Sequence, residues 1–154
     1  MINILKYTET IMNSFGIVVP HLGASQISCE AIKLANKIEN SVLFFEQLVA
    51  PSIPIKCSTM CVTEMMNFSG TLVTTNIENT RMANKIANRN GIKLIFYVWD
   101  LEWLRPGKQN YLYNIETYHM PNELVVRNED HIGPLQNYCN RQPIFKDFQQ
   151  VITC

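Results

Sequence analysis

Two carboxylates and two indoles crowd one short stretch of the chain, Trp99-Asp100-Leu101-Glu102-Trp103. Carboxylates accept hydrogen bonds from ligand hydroxyls, and indoles offer flat apolar faces with one polar edge. Asp100, Glu102 and Trp103 are therefore candidates for chemistry or recognition. A second reading has both tryptophans capping a core and both carboxylates solvated or paired locally. Further candidates are spread along the chain: His21, Gly23 and Ser25 in one short segment, then Glu46, Asn76 and Arg127. His21 stands before a predicted helix start, where it either meets a phosphate-bearing ligand or hydrogen-bonds its own loop.

Several chemistries lack their residues. There is no Gly-x-Ser-x-Gly elbow, no Gly-x-x-x-x-Gly-Lys-Ser/Thr phosphate loop and no Gly-x-Gly-x-x-Gly dinucleotide fingerprint. No cofactor is expected. The five cysteines show no framework spacing, and free thiols are the simplest account. Cys57 and Cys61 have the spacing of half a zinc site, but no second pair of ligands completes it. No metal is expected either.

The elements that must position these residues alternate between two patterns. Residues 94–98, Leu-Ile-Phe-Tyr-Val, are a continuous apolar run suited to a strand buried on both faces, with Asp100, Glu102 and Trp103 just past its carboxyl end. Shorter strands are predicted at 1–7, 15–19, 41–45, 71–74, 124–126 and 144–145. Between them Ile27, Ala31, Leu34, Ala35 and Ile38 mark one helical face, with Ser25 as its cap. Asn76 caps a second helix over 77–88, which Asn90-Gly91 stops. Short helices are predicted at 59–67, 111–118 and 131–138, and the two prolines within 50–55 make a loop. The result is a single Rossmann-like three-layer α/β domain over 1–154, with a five- or six-stranded, mainly parallel sheet. Its expected core includes Ile27, Leu34, Phe44, Leu72, Val73, Ile86, Ile95, Tyr97 and Val125.

Composition narrows the partners. The chain has 154 residues, 47% hydrophobic and 17% charged, which reads as one globular domain. Thirteen basic residues balance thirteen acidic ones, so a general nucleic-acid or anionic-membrane binder is not expected. No apolar run approaches the ~20 residues that span a bilayer, and the first residues lack a signal-peptide pattern. A cytoplasmic protein is expected.

The order of parts carries a resemblance. Gly23-Ala24-Ser25 precedes an amphipathic helix and Ser41-Val42-Leu43-Phe44-Phe45 follows it. Next come a strand entering a helix, a strand ending in an acidic turn, and Leu124-Val125-Val126-Arg127-Asn128 before another helix. From about residue 15 to 148 this resembles the N-terminal, acceptor-side half of GT-B glycosyltransferases, in particular glycosyltransferase-like proteins of T-even-related tailed bacteriophages. The resemblance implies that residues 21–25 correspond to the family's glycine-rich loop, here with one glycine. It makes Asp100 the candidate catalytic group, standing where many retaining members have a histidine. It also implies a nucleotide-sugar or sugar-phosphate ligand contacted by His21, Gly23, Ser25, Glu46, Asn76, Glu102, Trp103 and Arg127. In GT-B enzymes the donor site lies mainly in the C-terminal domain, so a second protein subunit is the implied partner of a split enzyme. The alternative expectation is a non-catalytic phage protein that binds a host or phage partner through an aromatic patch of Trp103, Tyr111, Tyr113 and Tyr118. Helix starts at Ser25, Asn76 and Asn128 should converge at the carboxyl edge of the sheet and favour an anion there. A sugar phosphate offers that anion together with hydroxyls for Asp100 and Glu102.

Overall fold

The structure, a computed structural model, describes residues 14–152. The strand expected over 1–7 lies outside them. In chain order the main elements are β1 (Phe15–Val19), α1 (Gln26–Lys37), β2 (Ser41–Phe45), β3 (Ser58–Cys61), β4 (Thr71–Thr74) and α2 (Ile77–Asn90). They continue with β5 (Lys93–Val98), α3 (Tyr111–Tyr118), β6 (Glu123–Val126), α4 (Ile132–Cys139) and β7 (Ile144–Phe145). Four single-turn or two-turn 3-10 segments punctuate the connections.

All the described strands are parallel and form one sheet in the order β3-β2-β1-β4-β5-β6-β7. The chain builds outward from β1 in one direction and from β4 in the other. Right-handed crossovers then require the helices of the two halves to lie on opposite faces. They do: α1 packs on β1 and β2 from one side, while α2, α3 and α4 cover the other. Register places Ile17 beside Leu43 and Val73, Val73 beside Ile95, and Tyr97 beside Val125. These residues share the α1 face. Their neighbours Val18, Phe44, Leu72 and Leu94 point to α2, and Phe96, Val98, Leu124 and Val126 to α3 and α4.

The described residues form a sheet of seven strands where five or six were expected. The addition is β3, in a region where a short helix over 59–67 was expected. Ser58-Thr59-Met60-Cys61 is an exposed edge strand with no apolar run, held by pairing from Val42↔Ser58 to Phe45↔Cys61. Only after it does the chain turn into a 3-10 helix, Val62–Asn67. Of the expected core, Ile27 and Ile86 are only partly buried and the other seven are buried. Helix α2 runs to Asn90 and stops at Gly91, whose φ of 64° is the left-handed conformation that glycine adopts without steric cost.

The two faces are not equally covered. Over β5, β6 and β7 the α1 face carries no helix among the described residues. A short C-terminal 3-10 turn, Phe148–Gln150, lies there instead, against α1. That thin cover leaves a cleft at the carboxyl ends of those strands.

Candidate functional site at the carboxyl edge

Strand order reverses between β1 and β4, and ligands of doubly wound sheets bind outside the carboxyl ends at such a point. Here the loop after β1 is closed on itself. The Gly23 amide donates to His21 Nδ1 at 2.9 Å, and Ser28 Oγ donates to the His21 carbonyl at 2.5 Å. Accepting at Nδ1 leaves the proton of neutral His21 on Nε2. Ser25 caps α1 by accepting from the Ser28 amide at 3.2 Å, and the two serine hydroxyls share a further bond at 2.6 Å. The segment after β2 then covers the loop: the amides of Glu46 and Gln47 donate to the Pro20 carbonyl at 3.1 and 2.8 Å. A Cβ on Gly23 would meet Val49 Cγ1 at 2.7 Å, so this glycine makes room for the chain's own valine.

The start of α2 is equally committed. Asn76 accepts from the Asn79 amide at 2.7 Å, and Asn79 Oδ1 accepts from the amides of Asn76 and Thr75 at 3.1 and 3.0 Å. Glu102, only 4% exposed, reaches across from the end of β5 and accepts from the Ile77 amide at 2.9 Å. A carboxylate therefore occupies the helix terminus where a ligand anion was expected. Burial pushes the Glu102 carboxyl up to about 7, against the opposing pull of the Ile77 amide, Arg105 and Lys108. Burial also raises the Glu46 carboxyl, opposed by its hydrogen bond with Asn76. Asp100 forms an ion pair with Arg105 at the surface. Asn128 caps only a 3-10 turn, accepting from the Asp130 amide at 3.0 Å, and not α4 itself.

The two tryptophans part company. Trp103 turns to the α3–α4 face, stacked on Tyr138 with centroids 3.9 Å apart and meeting Tyr118 edge-on. Of the four residues expected to form an exposed aromatic patch, Tyr118 is fully buried. Trp103 sits in this stack, and Tyr113 is held by Arg81 over its ring and by Glu78 at its hydroxyl. Tyr111 alone is largely exposed, at 54%.

Trp99 turns the other way, into the cleft under the thin cover. Tyr97 and Phe148 pack on it, and the Arg127 guanidinium lies over its ring at 4.3 Å. The cleft encloses about 280 Å3 and is also lined by Gln26, Glu30, Phe145 and Asp147. Its walls are fixed from behind. Tyr97 donates to the Lys146 carbonyl at 2.8 Å, Glu30 Oε2 accepts from Gln149 Nε2 at 2.8 Å, and Asp147 Oδ1 accepts from the Gln149 amide at 2.9 Å. One oxygen of Asp147 has no such bond, and the Arg127 guanidinium makes neither an ion pair nor a hydrogen bond among the described residues.

The predicted site residues thus fall into separate groups. His21, Gly23 and Ser25 belong to the closed loop; Glu46, Asn76 and Glu102 gather at the start of α2; Trp103 lies on the far face; Arg127 is in the cleft. Tyr97, Trp99, Glu30 and Asp147 were not singled out as contacts, and the cleft comes from strand ends and α1 residues far apart in sequence. Cys57 immediately precedes β3 and Cys61 ends it, an extended span of roughly 13 Å across which two thiols cannot share one metal ion. Among the described residues no cluster of His, Cys, Asp and Glu could hold a metal, and no helix is long and apolar enough to cross a membrane. The fold and its edge define a Rossmann-like α/β domain. No protein-family model matches the chain, and no curated protein matches it.

Proposed function

We propose that the protein is a Rossmann-like binding module that holds a sugar- or phosphate-bearing ligand in the Trp99–Arg127 cleft. The observation that carries this reading is the Arg127 guanidinium, held over the Trp99 ring and making no ion pair or side-chain hydrogen bond among the described residues. Stacking orders the side chain before any ligand arrives, so less freedom is lost when an anion takes a two-pronged hydrogen bond from it. The Asp147 oxygen left unbonded among the described residues and the amide of Gln26 suit ligand hydroxyls, and Phe145, 48% exposed, offers an apolar face to a ring. A sugar phosphate presents all three features.

The finer reading is the acceptor-side half of a split GT-B glycosyltransferase of phage type, with a second polypeptide supplying the donor site. Asp100 is its candidate base. Freeing Asp100 from Arg105 costs little, since an exposed ion pair contributes about 0–1 kcal/mol. The chain alone should then transfer no sugar, and single-turnover assays with labelled nucleotide sugars check this; transfer by the isolated protein overturns the split-enzyme reading. The partner-binding alternative rests on Tyr111 and the neighbouring Leu112, 78% exposed on α3. It lacks the contiguous aromatic surface it was built on.

Titration of glucose 1-phosphate, a nucleotide sugar and inorganic phosphate, followed by indole fluorescence and by NMR shifts, tests the main reading. Saturable binding that perturbs Trp99 and Arg127 is expected. Failure of all three at millimolar concentration overturns it.

A further inference from the structure

Helix α2 has an apolar arc wider than the core it serves. Ala83 and Ala87 are buried against the sheet, while Met82 and Ile86, one position earlier on each turn, remain half-covered at the flank. Across from them the 3-10 segment Val62–Asn67 contributes Val62 and Met66. The result is an apolar groove of about 360 Å3 between helix and turn. Met66 is 62% exposed, and its flexible thioether suits a surface that must adapt to a partner.

One rim of the groove is cationic. Lys85 and Arg89 stand one helical turn apart along the groove, and neither forms an ion pair among the described residues. Glu64 belongs to the same 3-10 segment but does not line the groove. Between Met82 and Arg89 the floor and rim extend about 10 Å along α2, the length of two helical turns. Met82 and Ile86 stand four apart on α2, as do Lys85 and Arg89, and rows at that spacing form ridges that pack into the grooves of another helix.

We propose that this groove docks an amphipathic helix of a protein partner, its apolar residues on Met82, Ile86, Val62 and Met66 and its acidic flank against Lys85 and Arg89. Apolar burial supplies the affinity and the two cations supply orientation and selectivity. The surface lies on the opposite face from the Trp99–Arg127 cleft and does not depend on what that cleft binds.

The test uses two labelled, covalently stapled helical peptides with leucines at spacings of three and four. One carries glutamates beside the leucines and the other lysines. With the wild-type protein, fluorescence anisotropy should show the glutamate peptide binding about tenfold or more tightly than the lysine peptide, weakening as salt rises. NMR shifts should map to Val62, Met66, Met82 and Ile86. In Lys85→Glu/Arg89→Glu, where both changes are at exposed positions, the peptide preference should reverse while the circular dichroism spectrum and melting temperature hold. Equal binding of both peptides, binding by neither, or shifts mapping elsewhere overturns the proposal. Concentration-dependent self-association in sedimentation that Met66→Glu abolishes also overturns it, by assigning the groove to a second copy of this chain.

Discussion

The middle and one end of the sheet's carboxyl edge treat their polar groups in opposite ways. At the β1–β4 reversal, His21, Ser25, Asn76 and Glu102 each satisfy a nearby backbone amide, and Val49 fills the space beside Gly23. At the β5–β7 end, Arg127 is ordered by an indole yet bonded to nothing among the described residues. Topology marks the first place as the ligand crevice; open hydrogen-bonding capacity marks the second. A residue already satisfied by its own chain must break that contact before it can serve a ligand, whereas an open one need not. The first region is thus structural machinery, and the second is the one we propose as the binding surface.

The largest effect expected from this division is at Glu102. Glu102→Ala removes a buried side chain and orphans the Ile77 amide, and should lower stability by about 2–4 kcal/mol in denaturant unfolding. Affinity for a phosphate-bearing ligand in the Trp99–Arg127 cleft should not move. Loss of affinity in a still-folded Glu102→Ala protein would join the two regions into one site and break the comparison.

Stability should also depend on pH through the same group. The Glu102 carboxyl is raised from 4.5 to about 7, so between those values the folded protein binds a proton that the unfolded chain has lost. Protonation therefore stabilises the fold, and stability from this group falls as pH rises from about 4.5 through 7, by at most about 3 kcal/mol. The raised Glu46 carboxyl acts in the same direction. Unfolding curves from pH 4.5 to 8 should show the decline, and Glu102→Gln, neutral throughout, should remove most of it. An unchanged slope in Glu102→Gln would mean that the carboxylate is solvated after all.

Much of this fold can be read from local sequence, because its cues act locally. The apolar run ending at Val98 specifies a buried strand, Asn76 and Gly91 bracket α2, and helix α3 spans the expected 111–118. Strand β3 could not be read this way, since Ser58–Cys61 is extended only through its pairing with β2. The site divides similarly. Caps at Ser25 and Asn76 follow from residue type, as does the suspicion of Asp100 and Glu102 past a buried strand. What each carboxylate touches is tertiary: the Ile77 amide lies 25 positions from Glu102. The cleft brings Gln26 and Glu30 to Arg127 and Asp147 only through the parallel sheet, and no spacing in the chain announces that. Its one legible sign was Arg127 just past a strand end.

Paired substitutions in the two regions sharpen the contrast. Ser25→Ala and Asn76→Ala should each cost about 1 kcal/mol of stability through lost caps and leave ligand affinity unchanged. Arg127→Gln should do the reverse, weakening a phosphate-bearing ligand about tenfold, near 1.4 kcal/mol, with the melting temperature almost constant. Calorimetric titration and thermal unfolding on all three variants give the two readouts. If Arg127→Gln instead costs several kcal/mol of stability with no effect on binding, its stacking on Trp99 is a structural contact and the cleft reading fails.

The smallest effect should come from Asp100, and it separates binding from chemistry. Its carboxylate pairs with Arg105 at the surface, where solvent screens both charges. Asp100→Asn should change stability by less than about 1 kcal/mol, because exposed pairs contribute little. It should also leave binding to the isolated chain intact, since the proposed anion site is Arg127 and the cleft is lined by Trp99 and Phe145, not by Asp100. If the protein is half of a split glycosyltransferase, the same substitution should abolish transfer once the donor-side subunit is present. Binding and folding would then be untouched, which a merely structural ion pair would not produce. Arg105→Gln supplies the control. It removes the partner and keeps the carboxylate, so it should preserve transfer while matching Asp100→Asn in stability. Should Asp100→Asn weaken ligand binding in the isolated chain, the ligand reaches beyond Trp99 to the end of β5. The boundary between structural and binding halves of the edge would then shift to include Asp100.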